Sequence, residues 1–597
     1  MALLNRTTQL RMRRILRRKQ KQMEAVTEAA EQQFDANLIA RFDRLMHVKR
    51  FTAGWLTLVI LAIVCTTMQT LSLSGYFQTV QPVSGGIYNE GIVGTYSNAN
   101  PVFATGSVDL AVSHLIFAGL LRYNDQNQLV GNLASDYSVD STGKHYIFHL
   151  RPGLTWQDDA PLTSQDVAYT FHLIQNPDTQ SPLLAAWQNI TISAPDTRTV
   201  LFDLPNAFSA FPYNLTTGII PEHLLASTPP AQLRAASFNT TTPIGAGPFA
   251  WQALQTKPTN DPAKALSLIA LKPFKNYAGG APMLNGFVMH VFGDNQGMIQ
   301  AFKHREINAM AGLTSVPASV ASANDTTVQS FPSTAAMMTF FKTSTGVLSD
   351  VQVRQALVAG VDTDALLRQL GYASKAVSEP LLRGQLGYDP KYAQASYSPA
   401  HANQILDADG WARNSKGLRH KNGEALSFGI YAEDSAENRA TLRTLVRDWA
   451  HLGVQVNPIL QNRTDFQTTL EFHTYDALLH AISIGVDPDV FAYWDSSQAD
   501  IRSNARLNFS EYKSTTADSA LEAGRTRLDP ALRVVKYRPF LQAWQTDAPA
   551  LGLYQPRFLY ITRGTVYGLS DHMLNSDSDR YASVADWEIH TSKVTNK

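Results

Sequence analysis

Cysteine is nearly missing from this chain: Cys65 is the only one in 597 residues, so no intrachain disulfide is available. Familiar catalytic signatures are missing too, with no GxSxG, HExxH, P-loop or CxxC pattern anywhere. That argues against the common hydrolase, metalloprotease, nucleotide-hydrolysing and thiol-redox classes, although a triad drawn from distant residues leaves no local trace. The 15 histidines are scattered. His145 and His149 share a strand face, but four residues along a strand separate them by about 13 Å, too far for one metal. No metal site, no cofactor and no catalytic residue is expected. An excess of either charge is also lacking, with 50 Lys and Arg against 50 Asp and Glu.

That balance conceals an asymmetry. Residues 1–50 hold twelve basic and five acidic side chains, leaving 38 basic and 45 acidic for the rest. The mildly acidic remainder argues against nucleic acid as a partner. Between Arg50 and Glu90 there is no Asp, Glu, Lys or Arg at all, and the apolar run Ala53–Tyr76 is long enough to cross a bilayer as a helix. Trp55 and Tyr76 stand near its ends, where interfacial aromatics are favoured. The cluster RMRRILRRKQK at 11–21, with Lys49-Arg50 against the run, places the N-terminus in the cytoplasm by the positive-inside bias. The chain is thus expected to lie in the cell membrane as a single-pass protein with its large part extracytoplasmic. The preceding fifty residues far exceed a usual signal-peptide n-region, which favours an uncleaved signal anchor at 53–76 over a cleaved signal. Cys65 reads as a small buried hydrophobe in that helix, because Val64 and the continuing apolar run do not suit a lipidation site. Residues 22–46 are compatible with an amphipathic cytoplasmic helix, and the basic cluster with contact to anionic lipid.

A chain this long needs two or three domains. Residues 77–86 read as a tether of at most about 35 Å, followed by a first strand near 87–93. Helical patterns fall at 108–121, 164–175, 294–304, 350–370, 399–408, 435–452, 516–526 and 530–546. Strand patterns fall near 145–150, 199–204, 266–272, 286–292, 336–342, 426–431, 453–459 and 476–483. This alternation, without a short repeat, predicts an α/β protein of more than one lobe.

The stretch 145–174 carries the most specific signal. Tyr146, Phe148 and Leu150 alternate as a strand, Arg151-Pro152-Gly153 turns the chain, and Thr163 with Asp166 caps a helix whose stripe is Val167, Phe171 and Ile174. The order Phe148, Leu150, Arg151, Gly153, Trp156, Asp158, Pro161, Thr163, Asp166 and Val167 resembles the signature of the family 5 extracytoplasmic solute-binding proteins, the oligopeptide, dipeptide and nickel receptors of ABC importers. Asp159 stands for the usual Gly and Ser164 for the usual Ala. The likeness continues through LIFAGLLRYNDQNQLV, Asn132-Leu133-Ala134, the turn Pro243–Phe249 with Ala246 for Thr, DVQVRQAL at 350–357 with Val361-Asp362, and the series Asp487-Pro488, Asn508-Phe509, Tyr512, Asp518, Leu521, Arg533 and Pro549 to Tyr554. It covers roughly residues 84–570.

What the resemblance implies is a two-lobed periplasmic-binding-protein-like clamp preceded by one transmembrane helix. Lobe I would comprise 84–335 plus 547–590, with an extra subdomain at 116–235, and lobe II would comprise 336–546. A peptide or other small solute would lie between the lobes and pass to an ABC permease and its ATPase subunits. No nucleic acid and no enzyme activity is implied. Alternatives are a ligand sensor signalling through the transmembrane helix and an extracytoplasmic hydrolase. The candidate ligand-binding residues are Asn98, Asn100, Tyr213, Phe340, Phe341, Ile484, Asp487, Tyr493, Trp494 and Asn508; core packing competes with that role for the aromatics, as for Trp156. One departure stands out. Peptide-binding relatives place an Asp four residues before the Pro matching Pro488, to pair with a free ammonium, and here that position is Ile484; Asp487 or Asp489 would have to substitute. A buried ammonium without a partner is costly, so a blocked, differently oriented or larger peptide, or another solute, is expected.

Overall fold

The computed structural model describes residues 6–34, 49–74, 78–257, 266–321, 323, 325–370, 374–503 and 506–595. The chain divides into two compact units, Met1–Gln81 with Thr591–Lys597, and Pro82–His590.

Among the described residues, the first unit contains two helices. Arg6–Phe34 is long, basic at its start and exposed along its described side chains. Lys49–Ser74 contains an uncharged stretch, Phe51–Thr70, long and apolar enough to cross a membrane. Of the expected cytoplasmic helix over 22–46, the part beyond Phe34 lies outside the described residues. The expected tether at 77–86 is corrected: Gln78–Val83 is a strand, paired with His590–Thr595 in a two-stranded sheet. Threonine and valine there supply strand propensity, and a partner at the far end of the chain satisfies the backbone.

The second unit is α/β and is organised by two large sheets. The seven-stranded sheet runs in the order Thr326–Pro332, Arg557–Arg563, Ala309–Leu313, Ile87–Val93, Gly286–Phe292, Leu266–Pro273 and Phe249–Lys257. Ile87–Val93 is parallel to both of its neighbours. The five-stranded sheet runs Gln455–Gln461, Ser427–Glu433, Ala477–Ser483, Ala335–Phe341 and Ala550–Tyr554. The expected return to the first lobe from about 547 therefore starts later, because Ala550–Tyr554 pairs with Ala335–Phe341 and only Arg557–Arg563 joins the seven-stranded sheet. The chain crosses between the sheets twice, after Pro332 and after Tyr554. The crossings touch: Ser333 N–H donates to Pro556 O at 3.1 Å, and Gln555 Nε2 donates to Ser333 O at 2.8 Å.

Within this second unit, a four-stranded sheet, Ala134–Val139, His145–Leu150, Thr199–Asp203 and Thr191–Asp196, shares a hydrophobic core with the seven-stranded sheet to make a first body, and the five-stranded sheet with the cores on its two faces makes a second body. His145–Leu150 alternates exposed and buried side chains along its length. Thr163 and Asp166 form a reciprocal capping box on the helix Ser164–Gln175, a device that stabilises a helix start by about 1 kcal/mol. Phe171 stacks on Trp187 at 3.9 Å, and Trp156 is fully buried. Asp159, at the position of the usual Gly, takes φ 68°; Asp is among the residues that tolerate the left-handed region.

Two expected helices are shorter than their patterns. The helix over 108–121 stops at Ile116. The segment beyond it is pinned by backbone: a side chain at Gly119 would meet Thr216 O at 2.6 Å, and one at Gly245 would meet Ile116 O at 2.1 Å. The helix over 350–370 is two, Val351–Ala359 and Thr363–Gln369, because Asp362 accepts from Ala365 N–H and starts the second.

Candidate functional site

The two bodies meet where residues 207–213 of the first approach the loops after Ala477–Ser483 of the second. Ser209 donates from its N–H to Arg525 O at 3.0 Å and from Oγ to the same oxygen at 3.1 Å. Nearby, the chain turns at Gly485, whose φ of 77° suits glycine. Asp487 follows, and its carboxylate takes two bonds from Arg533, 2.7 Å from Nη1 and 2.6 Å from Nη2. Both partners are nearly buried, 9% and 7% exposed, which makes the bidentate pair a fixed element. Burial alone would lower the Arg533 guanidinium, but the hydrogen-bonded Asp487 carboxylate outweighs it and holds the group well above its usual range. Two residues on, Asp489 pairs with Arg525 Nη2 at 3.0 Å. Burial raises the Asp489 carboxyl, opposed by the Arg525 charge.

Tyr213 faces this cluster. Burial, and then the Asp487 charge, push its hydroxyl upward. Its ring stacks on Tyr123 at 6.4 Å. Tyr123 in turn lines a cavity of about 240 Å³ whose walls include His114, Arg122, Asn132, Tyr277, Ser576, Ser578, Asp579 and Tyr581. Arg122 comes from the short strand Leu121–Tyr123, His114 from the helix Ser107–Ile116, and Asp579 from the turn Asp577–Tyr581. Burial lowers the His114 imidazole against the pull of Asp579, and the Arg580 and Arg122 charges lower it further. Behind the cavity wall, Glu90 and Arg580 form a fully buried ion pair at 2.5 Å. Tyr581 and Tyr560 donate to the two Glu90 oxygens at 2.5 and 2.6 Å, which satisfies the charge in the low-dielectric interior.

The sequence candidates separate into groups. Tyr213 and Asp487 come together at the junction. Tyr493 is close by, its hydroxyl donating to Ser483 O at 2.7 Å, and burial pushes it up to about 12. Phe340, Phe341 and Trp494 are a correction: none has exposed surface, since neighbouring strand residues point to opposite faces and both faces of the five-stranded sheet are covered. Ile484 is likewise buried, in the same hydrophobic core as Trp494. Asn508 is fully buried and ties a turn, donating to Asp495 O and Tyr512 O and accepting from Tyr512 N–H. Asn100 bridges to Asn239 at 3.0 Å and accepts from Val102 N–H, while Asn98 accepts from Asn100 N–H. These three asparagines shape loops. None of the ten candidates lines the cavity; of its polar residues, His114, Arg122 and Asn132 lie in family-like segments that carry no ligand signature of their own, and Ser576, Ser578, Asp579 and Tyr581 lie beyond the family-like stretch.

A family model, bacterial extracellular solute-binding proteins, family 5 Middle, matches residues 128–503. A Brucella ovis protein named as a candidate ABC transporter peptide-binding protein is 27% identical over 491 residues, covering 78% of this chain and 86% of its own. Among solved structures, NikZ from Campylobacter jejuni in complex with Ni(L-His) superposes with TM-score 0.73 at 20% identity, covering 84% of this chain and 99% of its own. AppA from Bacillus subtilis in complex with a nonapeptide gives TM-score 0.70 at 20% identity, covering 85% and 100%. The fold is the α/β periplasmic-binding-protein-like one, and the chain belongs to the bacterial extracellular solute-binding proteins, family 5.

Proposed function

We propose that this chain is a membrane-anchored receptor of an ABC importer that encloses a peptide or related solute between two lobes and passes it to a permease. The observation that carries the reading is the cavity reached from Tyr123, beside a junction to which both bodies contribute. In this reading the lobes fluctuate between open and closed arrangements, and solute favours closure because it bridges both. The helix Lys49–Ser74 holds the receptor at the membrane, raising its concentration near the permease.

Tyr213, Asp487 and Tyr493 stand at the junction beside the solute space, outside the cavity wall, and Asp487 acts by locking Arg533 in place. With Asp487 and Asp489 each neutralised by an arginine, a free α-ammonium finds no spare carboxylate at this turn. Native mass spectrometry of the full chain released from detergent micelles tests the reading. A co-purified small solute that is lost on partial unfolding is expected; an empty protein that takes up no peptide or metal chelate would reject it. The long helix Arg6–Phe34 ahead of the span favours one second reading, a sensor. Crosslinking that recovers a cytoplasmic partner and no permease would select it.

A further inference from the structure

Two opposite charges in the cavity wall are left with unused bonding capacity. Arg122 makes a single hydrogen bond, from Nη1 to Ala582 O at 3.4 Å, and no ion pair among the described residues. A guanidinium carries five donors in a fixed fork, so most of its capacity is unspent. Asp579 uses one carboxylate oxygen, Oδ2, to accept from Asn575 and Ser576 N–H at 3.0 and 2.9 Å. Its Oδ1 has no partner among the described residues, and Asp579 is in no ion pair there. In the same cavity wall, the His114 ring nitrogens make no hydrogen bond among the described residues, and Asn132 Oδ1 takes one bond, from the Tyr277 hydroxyl at 3.3 Å.

The separation of these charges matters. Arg122 and Asp579 both act on His114 through space, yet they stand too far apart to form an ion pair with each other. Leaving two opposed charges unpaired in a partly enclosed space is expensive unless something bridges them. The turn that carries Asp579 is also firmly built: its capping box with Ser576 fixes the carboxylate, and Asn575 is bonded to Asn127 and to the Thr334 hydroxyl. A group held that firmly is suited to recognition.

We propose that the cavity is a zwitterion site, in which Arg122 takes a solute carboxylate, Asp579 takes a solute ammonium, and His114 and Asn132 serve the polar groups between them. The proposal rests on the solute-receptor reading and supplies what the turn at Ile484 lacks, an ammonium partner, from the other body. At about 240 Å³, the cavity is below the roughly 300–1,000 Å³ typical of drug-sized ligands. It therefore fits a small amino-acid-like or dipeptide-like solute. Tyr123, Phe117 and Tyr277 give the intervening apolar surface.

The test uses the full chain in detergent, with native mass spectrometry and thermal shift as readouts. The probes are a pooled set of free dipeptides and free amino acids, the same compounds N-acetylated, and the same compounds as C-terminal amides. Free zwitterions alone should bind. Arg122→Gln should weaken them at least about tenfold and narrow the gap to the amides, and Asp579→Asn should do so toward the N-acetyl forms. Because Asp579→Asn can disturb its turn, Arg122→Gln, on an edge of the cavity, is the decisive variant. Blocked compounds binding as well as free ones, or Arg122→Gln leaving affinity unchanged in a folded protein, would overturn the zwitterion site alone. No binding of any probe, together with no co-purified solute, would overturn the receptor reading as well.

Discussion

The guanidinium of Arg525 lies 4.9 Å from the ring centroid of Phe208, across the junction between the two bodies, and 4.2 Å from that of Phe491 on its own side. One cation is thus shared by rings from two bodies, while Asp489 holds its other edge. Cation–π contacts of this kind contribute about 0.5–2 kcal/mol each. Arg525→Ala should therefore favour separation of the bodies. Small-angle scattering of the solute-free protein should show a larger radius of gyration, and solute affinity should fall. An unchanged radius would mean that the contact is incidental.

The Glu90–Arg580 pair invites a stability test, since neither group reaches water and two tyrosine hydroxyls complete the carboxylate's bonding. Removing one partner strands the other, so Arg580→Met should cost about 3–5 kcal/mol. Tyr581→Phe should cost about 1–2 kcal/mol. Denaturant unfolding of the variants measures both; equal, small losses would show that relaxation or water compensates.

Glu379 is fully enclosed, with one oxygen unpaired among the described residues and the other accepting a 3.4 Å bond from Asp389 N–H. Burial pushes its carboxyl up to about 8. A carboxyl raised on folding holds its proton better in the folded state. Its contribution is fully present below the ordinary range and is lost as pH rises towards 8. The slope is at most about 1.4 kcal/mol per pH unit. Thermal unfolding between pH 5 and 8 should show the native chain losing stability and Glu379→Gln losing less. Parallel curves would assign the pH dependence elsewhere.

Cys65 offers a direct check on the anchor, being the only thiol in the chain and lying within Phe51–Thr70. In intact membranes a polar maleimide should label it poorly, and labelling should rise sharply once the membrane is dissolved and the chain denatured. Full labelling before dissolution would place this helix outside the bilayer.

Local chemistry was readable wherever it was self-contained. The alternation of His145–Leu150 and the Thr163–Asp166 cap need no knowledge of the rest of the chain, and both appear at the expected residues. Ala550–Tyr554 was not readable, because all five residues are buried and leave no alternation to detect. Ala309–Leu313 is nearly the same case, interrupted by Gly312. For the site, aromatic pairs such as Phe340 and Phe341 announce apolar surface without saying whether a solute or a core covers it. Arg122 sits inside the family-like run LIFAGLLRYNDQNQLV without being marked by it, and Asp579 carries no motif at all. Only the return of the chain through Asp577–Tyr581 puts them around one cavity.

The paired crossings at Ser333 and Gln555 have a consequence for proteolysis. The second body is inserted into the first between Thr326–Pro332 and Arg557–Arg563, which are adjacent, hydrogen-bonded strands. A protease that severs one crossing leaves the inserted body covalently held by the other, with the strand pairing intact. Such a nicked molecule would run as two fragments on a denaturing gel yet migrate as one particle in native conditions, and only a double cut would set the inserted body free.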